Sequence, residues 1–292
     1  MFVMPAPEKR IVEDTSKNDF SYNKRIENEY NQILNSIADN IDDILDGFDF
    51  GKELEVLEDL GEYANELFDW STKFVSNLIY NLNEDDLRQW KMHSANMSRQ
   101  MYRSLGRAPI KPLMDQYLEE NVGLIQSMPL NAAKKVQKLV LENLKSGRYR
   151  SSGLIDQIMN VGKVTRSRAK TIARTEVSKM SVGLTKARSE VLEIGYYIWK
   201  TSKDARVRSS HSIMADVVID WNDPPSPEAL RGIKSHGNYH AGCTFNCRCF
   251  ARPMIRVDDI HWPAKMYLNG QIQRIRKADF LQMSAGRIPM AA

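Results

Sequence analysis

Three cysteines fall within seven residues, Cys243, Cys247 and Cys249, with His240 just before them and His211 further up the chain. Thiolates and imidazoles are the donors that a tetrahedral zinc takes. Cys247 and Cys249, two apart on an extended segment, would project to the same side, and His211, His240 and Cys243 are the candidates to complete four ligands. The Cys-x-Cys step is tighter than the two-to-four-residue knuckle of a zinc finger, so the same residues also suit reduced cysteines packed in a small core. The sequence requires no cofactor; a structural zinc is the one it admits. His236 and His261 read as surface or capping histidines. Three clustered cysteines make no disulfide framework, which points to a reducing compartment.

Glu176, Asp204 and His211, with a zinc, are also the residue types of a metal-dependent hydrolase or nuclease. No His-Glu-x-x-His, Gly-x-Ser-x-Gly, phosphate-binding glycine loop or dinucleotide fingerprint accompanies them. A cysteine nucleophile beside His211 or His240 would want an acid to orient the imidazole, and the sequence indicates none. The chain therefore reads as a non-enzyme.

The elements that must carry these residues are mostly helical. Ile26, Tyr30, Ile33, Leu34, Ile37, Ile41, Ile44 and Leu45 recur at steps of three and four, one stripe of a helix. A second stripe runs Leu54, Leu57, Leu60, Tyr63, Ala64, Leu67, Phe68, Trp70, Phe74 and Leu78, with Gly51 and Gly61 as breaks. The Gly- and Pro-bearing stretch 105–112 marks a joint. Asn131 is placed to cap a helix that ends at Ser146-Gly147. A long helix is expected over Thr165–Ile194, closed by Gly195. On it, Arg168, Lys179 and Lys186 form a basic stripe away from the core, while Glu176 sits at the edge of the apolar face and needs a partner. Strands are expected at Tyr196–Thr201, Val217–Trp221 and Cys249–Arg252, and residues 265–292 as a helix followed by a loose tail. The fold class is α+β: helical N-terminal and middle regions with a small mixed α/β unit near the C-terminus. The segments are 1–120, helical and acidic at the start; 121–256, basic helices with the small β unit; and 257–292.

Ala173-Arg174-Thr175-Glu176, then Asp204-Ala205-Arg206-Val207-Arg208-Ser209-Ser210-His211, then Asn246-Cys247-Arg248-Cys249, in that order, resemble the phage Mu protein F family of minor head proteins over roughly 150–255. Where that family usually has a glycine shortly after the histidine, this chain has Asp216. The resemblance implies a head-morphogenesis protein of a tailed bacteriophage, associated with the portal and with major capsid or scaffold protein. It implies a place in the virion near the portal vertex, after assembly in the host cytoplasm, and a part in genome packaging or ejection. The family positions carried over are Arg174, Thr175, Glu176, Asp204, Arg206, Arg208, His211, Asn246, Cys247, Arg248 and Cys249. From residue chemistry alone, Asp204 can cap the turn bearing Arg206 and Arg208, and either arginine can pair with Glu176 to clamp the long helix to the β unit.

Charge is unevenly distributed. Residues 1–60 hold fifteen acids and six bases, whereas 131–210 hold eighteen Lys and Arg and six acids, although the net charge is only +4. A positive middle segment suits a polyanion, and sequence-independent contact with packaged double-stranded DNA through Arg168, Lys179 and Lys186 is the expectation. A plain non-specific DNA-binding protein is the neighbouring alternative, though no DNA-reading motif appears. With 42% hydrophobic residues the chain can build a core. It has no apolar run long enough for a membrane span, and its start, Met1-Phe2-Val3-Met4-Pro5, lacks the charged lead of a secretory signal.

Overall fold

The computed structural model describes residues 20–93, 97–146 and 152–284. Five helices come first: α1 (Lys24–Asp46), α2 (Glu53–Met92), the short α3 (Arg99–Ser104), α4 (Ile110–Lys145) and α5 (Ser152–Val191). Five strands and three short helices follow: β1 (Tyr196–Lys200), α6 (Ser209–Ser212), β2 (Val218–Asp220), α7 (Pro227–Leu230), β3 (Phe250–Pro253), β4 (Ala264–Leu268), β5 (Gln271–Ile275) and α8 (Lys277–Met283). This is the α+β order expected. The chain forms two compact units, each drawn from separated stretches: 25–80 with 115–173, and 20–24, 81–114 and 174–284. Their borders fall within α1, α2, α4 and α5.

The first unit is helical. α1 buries the whole expected stripe from Ile26 to Leu45. The stripe on α2 is narrower than expected: Leu60, Tyr63, Ala64 and Leu67 are buried, but Leu54 is 67% and Phe68 52% exposed. At about 100° per residue, Phe68 lies about 80° and Leu54 about 120° from Leu60, outside the apolar face. Asn131 is no cap, because α4 runs through it with Pro129 inside. The proline removes one backbone donor, yet burial of Met128, Pro129, Ala132 and Val136 carries the helix onward. Tyr30 donates to Asn121 Oδ1 at 3.1 Å and Asn40 donates to the Tyr63 hydroxyl at 2.9 Å. Arg166 of α5 donates to Asp39 at 2.5 Å and Asp42 at 2.7 Å. Part of the acidic excess of the N-terminal region and the basic excess of the middle region thus neutralise each other inside this unit.

The second unit holds the sheet, ordered β3-β1-β2-β4-β5, with β2 and β4 parallel and the other neighbours antiparallel. The alternation in β1 feeds both faces. Tyr197 and Trp199 join a core with Val217, Ile219, Trp221, Cys247, Cys249 and Ala251, while Tyr196 packs with Val218, Met254, Met266 and Phe280. The end of α5 corrects the sequence reading. Glu193, not Gly195, takes the left-handed position at φ 58°, and the Ile194 amide bonds Ser189 O at 2.9 Å. Ile194 packs beside Leu192 and Trp90, so apolar burial, together with a left-handed residue, closes the helix. The helix also begins at Ser152, thirteen residues before the expected start.

The expected C-terminal helix is corrected as well. Residues 264–275 form the β4–β5 hairpin, turning at Asn269 and Gly270 with φ of 51° and 77°, and only Lys277–Met283 is helical. Residues 285–292, where the tail was expected, lie outside the described residues. No described helix is long and apolar enough to cross a membrane.

Candidate metal centre

The one-turn helix α6 carries His211, which is 2% exposed, into the core beside Cys247 and Cys249, each 3% exposed. Its Nδ1 lies 3.4 Å from Cys247 Sγ and 3.5 Å from Cys249 Sγ. The three ligand atoms are within 4.8 Å of one another. On the other side of the ring, Nε2 is 3.0 Å from the Tyr239 hydroxyl, and that hydroxyl is 2.7 Å from both oxygens of Glu228. Ser210 donates to Glu228 Oε1 at 3.1 Å. Burial works to raise the Glu228 carboxyl, but the hydrogen bonds from Tyr239, its own amide and Ser210, with His211 near, hold it below its ordinary value. Burial and the same carboxylate push the Tyr239 phenol up. Tyr239 gives its only proton to Glu228, so its oxygen accepts from His211 Nε2–H, which leaves Nδ1 facing the two sulfurs.

The two thiols are unequal. The hydrogen bond from Cys249, and then His211, pull Cys247 down against burial, whereas holding its proton for Cys247, together with burial, pushes Cys249 up. Of the five expected ligands, His240 and Cys243 stand outside the group. His240 lies edge-on to Tyr197 and Trp221, and burial, with Lys186 nearby, lowers it to about 4. Cys243 is pushed up to about 12, first by burial and then by the charge of Cys247. Neither is presented to the other three side chains.

The family-motif residues interlock around this group. Arg174 Nη1 donates to Asn246 Oδ1 at 2.5 Å, the Asn246 amide donates to Thr175 Oγ1 at 2.9 Å, and Ser178 donates to Cys247 O at 3.1 Å. One face of α5 therefore holds the backbone that carries the cysteines. Asn246 adopts φ 54°, a left-handed value that Asn tolerates better than most residues. Asp204 accepts a two-pronged bond from Arg248, Nη2 at 2.7 Å and Nη1 closer still. It also accepts from the Arg206 amide at 2.9 Å, the expected cap. Arg248 first, and then that amide, hold Asp204 at about 2. Asp216, where the resemblance leads to the expectation of a glycine, has φ 60° and accepts from Lys200 at 2.6 Å. A backbone that suits glycine is kept here by an aspartate.

The expected pairing of Glu176 with Arg206 or Arg208 is not formed. Arg206 lies 3.6 Å from Asp204, Arg208 donates to Phe245 O at 2.7 Å and stacks 4.3 Å over the Phe245 ring, and Glu176 Oε2 is 3.8 Å from Lys179. The clamp is made by Arg174 and Thr175 instead. Replacing Asn246 by alanine should cost about 1 to 2 kcal/mol, from a charge-assisted hydrogen bond and left-handed backbone. Urea unfolding of the variant checks this, and an unshifted midpoint would remove the clamp.

The three residues assigned to DNA are placed unevenly. Arg168 is exposed in the first unit. Lys179 and Lys186, in the second, are half-buried, each 3.8 Å from a carboxylate, Glu176 and Glu190. Both act on Cys243. The stripe does not simply face outward, because α5 packs that side against the cysteine loop. Sequence reasoning missed Glu228 and Tyr239. Glu228 stands in a proline-rich stretch with no periodicity to mark it.

A sequence profile described as Phage Mu protein F like protein matches residues 134–252. This segment is Mu F-like. It contains every motif position named above. An uncharacterised protein of Haemophilus influenzae is similar to this chain, 35% identical over 135 residues, which is 46% of this chain and 28% of that protein. The chain thus matches less than a third of that relative's length. No solved structure matches the chain.

Proposed function

We propose that this protein is a minor head protein of a tailed bacteriophage, bound at the portal with contacts to major capsid or scaffold protein, and acting in head assembly and genome packaging or ejection. The observation that carries the reading is the convergence of the Mu F-like motifs: Arg174 and Thr175 hold Asn246, Asp204 holds Arg248, and His211 joins Cys247 and Cys249. These side chains go chiefly into holding one small unit together, as expected of an assembly part. In the first unit Lys134, Lys135, Lys138, Lys163, Arg168 and Lys170 are exposed, cations that can meet the phosphates of packaged duplex DNA without base recognition.

Purified protein is expected to co-sediment with portal rings and to retain duplex DNA at low salt. With about six phosphates contacted, DNA affinity should fall about a thousandfold between 50 and 200 mM salt. Retention that is flat across that range would take DNA out of the reading; failure to bind portal rings would take out the portal.

A further inference from the structure

We propose that His211, Cys247 and Cys249 bind one zinc ion whose fourth coordination position opens into the adjoining arginine-lined cavity and takes an exchangeable oxygen ligand, water or a small oxyanion such as phosphate. Zn–S bonds of about 2.3 Å and Zn–N bonds of about 2.0 to 2.1 Å give a tetrahedron with N–S edges of about 3.5 Å. Nδ1 stands 3.4 and 3.5 Å from the two sulfurs. The sulfurs and the imidazole already occupy three corners of such a site, buried and with the histidine oriented from behind by Tyr239 and Glu228. A carboxylate or hydroxyl behind a ligating imidazole is the usual support of a zinc histidine.

The fourth corner has no protein donor among the described residues, since His240 and Cys243 lie outside the group. What adjoins it is a cavity of about 80 Å³ lined by the three ligands together with Arg206, Arg208 and Arg248. Two thiolates balance the charge of the zinc, so attraction for an anion comes from the arginines. Asp204 offsets Arg248. Arg208 offers more: its Nη1 is buried without a hydrogen-bond partner among the described residues, a donor that an oxyanion in the cavity would satisfy. Three protein ligands and one exchangeable position are the pattern of an open zinc site, not of a closed structural knot.

The test uses the full chain, purified from zinc-supplemented cells and dialysed against metal-free buffer. About one zinc per chain is expected by elemental analysis. Cobalt exchanged into the site should show thiolate-to-cobalt charge transfer, with visible bands that shift when inorganic phosphate is added. Cys247→Ser, Cys249→Ser and His211→Ala should each lose the ion, while Cys243→Ser and His240→Ala keep it. The cobalt spectrum and phosphate response are read on the unmutated protein, so a variant that misfolds does not decide the matter. A zinc-free protein, or zinc retained by Cys247→Ser, overturns the site. Cobalt bands indifferent to phosphate overturn the open position. Rapid alkylation of Cys247 in a zinc-free protein would instead make Cys247, His211 and Glu228 a thiolate–imidazole pair with an acid behind it.

Discussion

Replacing Asp86 by alanine is expected to destabilise the second unit by about 3 to 5 kcal/mol, because it leaves the Arg188 guanidinium, 3% exposed, without its anion. Asp86 accepts from Arg188 at 2.5 Å and from Thr185 at 2.5 Å, and Arg188 also donates to Asn83 at 2.6 Å. The pair is not itself a strong stabiliser. Burial pushes the Asp86 carboxyl up to about 6, against the pull of Arg188 and Thr185. The folded protein therefore holds that proton more tightly than the unfolded chain does, and stability falls as pH rises from about 4 to about 6, then levels off. Asp86→Asn should flatten that slope. Chemical denaturation of the alanine variant at pH 7 checks the first claim, and a loss under about 1 kcal/mol would show that Arg188 finds another partner.

Gly242→Ala is expected to cost about 2 to 4 kcal/mol. Gly242 sits at φ 89°, and a Cβ there would lie 2.8 Å from Cys249 O and 3.2 Å from Val182 Cγ2. Left-handed backbone alone costs a side chain about 1 to 2 kcal/mol, and crowding a packed core adds about 1 to 3. The neighbour at 2.8 Å is backbone of the residue that supplies one candidate ligand, so the strain should reach the cysteine pair. Thermal unfolding of Gly242→Ala should show a clearly lower midpoint; a midpoint unchanged within about 1 °C would mean that the loop yields freely.

Much of this was legible in the residues. The α1 stripe is regular because one face meets a continuous helical core, and the strand at Tyr196 shows in its aromatic and β-branched run. The motif residues are visible as separate pieces of sequence, whereas their pairing is set by the fold. Glu176 stands out in the sequence as an acid on an apolar edge, while Arg174 and Thr175 beside it hold Asn246 of the cysteine loop. Spacing cannot say which of several arginines reaches an Asn seventy residues away. The C-terminal hairpin was missed although Asn269-Gly270 is a strong turn signal. Ile272 and Ile275, three apart, imitate a helix because β5 is an edge strand with little to bury. Asn131 is a cap by residue type, but burial of Met128, Ala132 and Val136 carries α4 through it. Glu228 and Tyr239 act on His211 from a loop whose path no local pattern encodes.

The most direct measurement is quantitative mass spectrometry of purified proheads and mature particles, counting this protein against portal and major capsid protein. A few copies per portal ring, in proheads and mature particles alike, is the predicted result. Absence from both would contradict the assignment to the phage head.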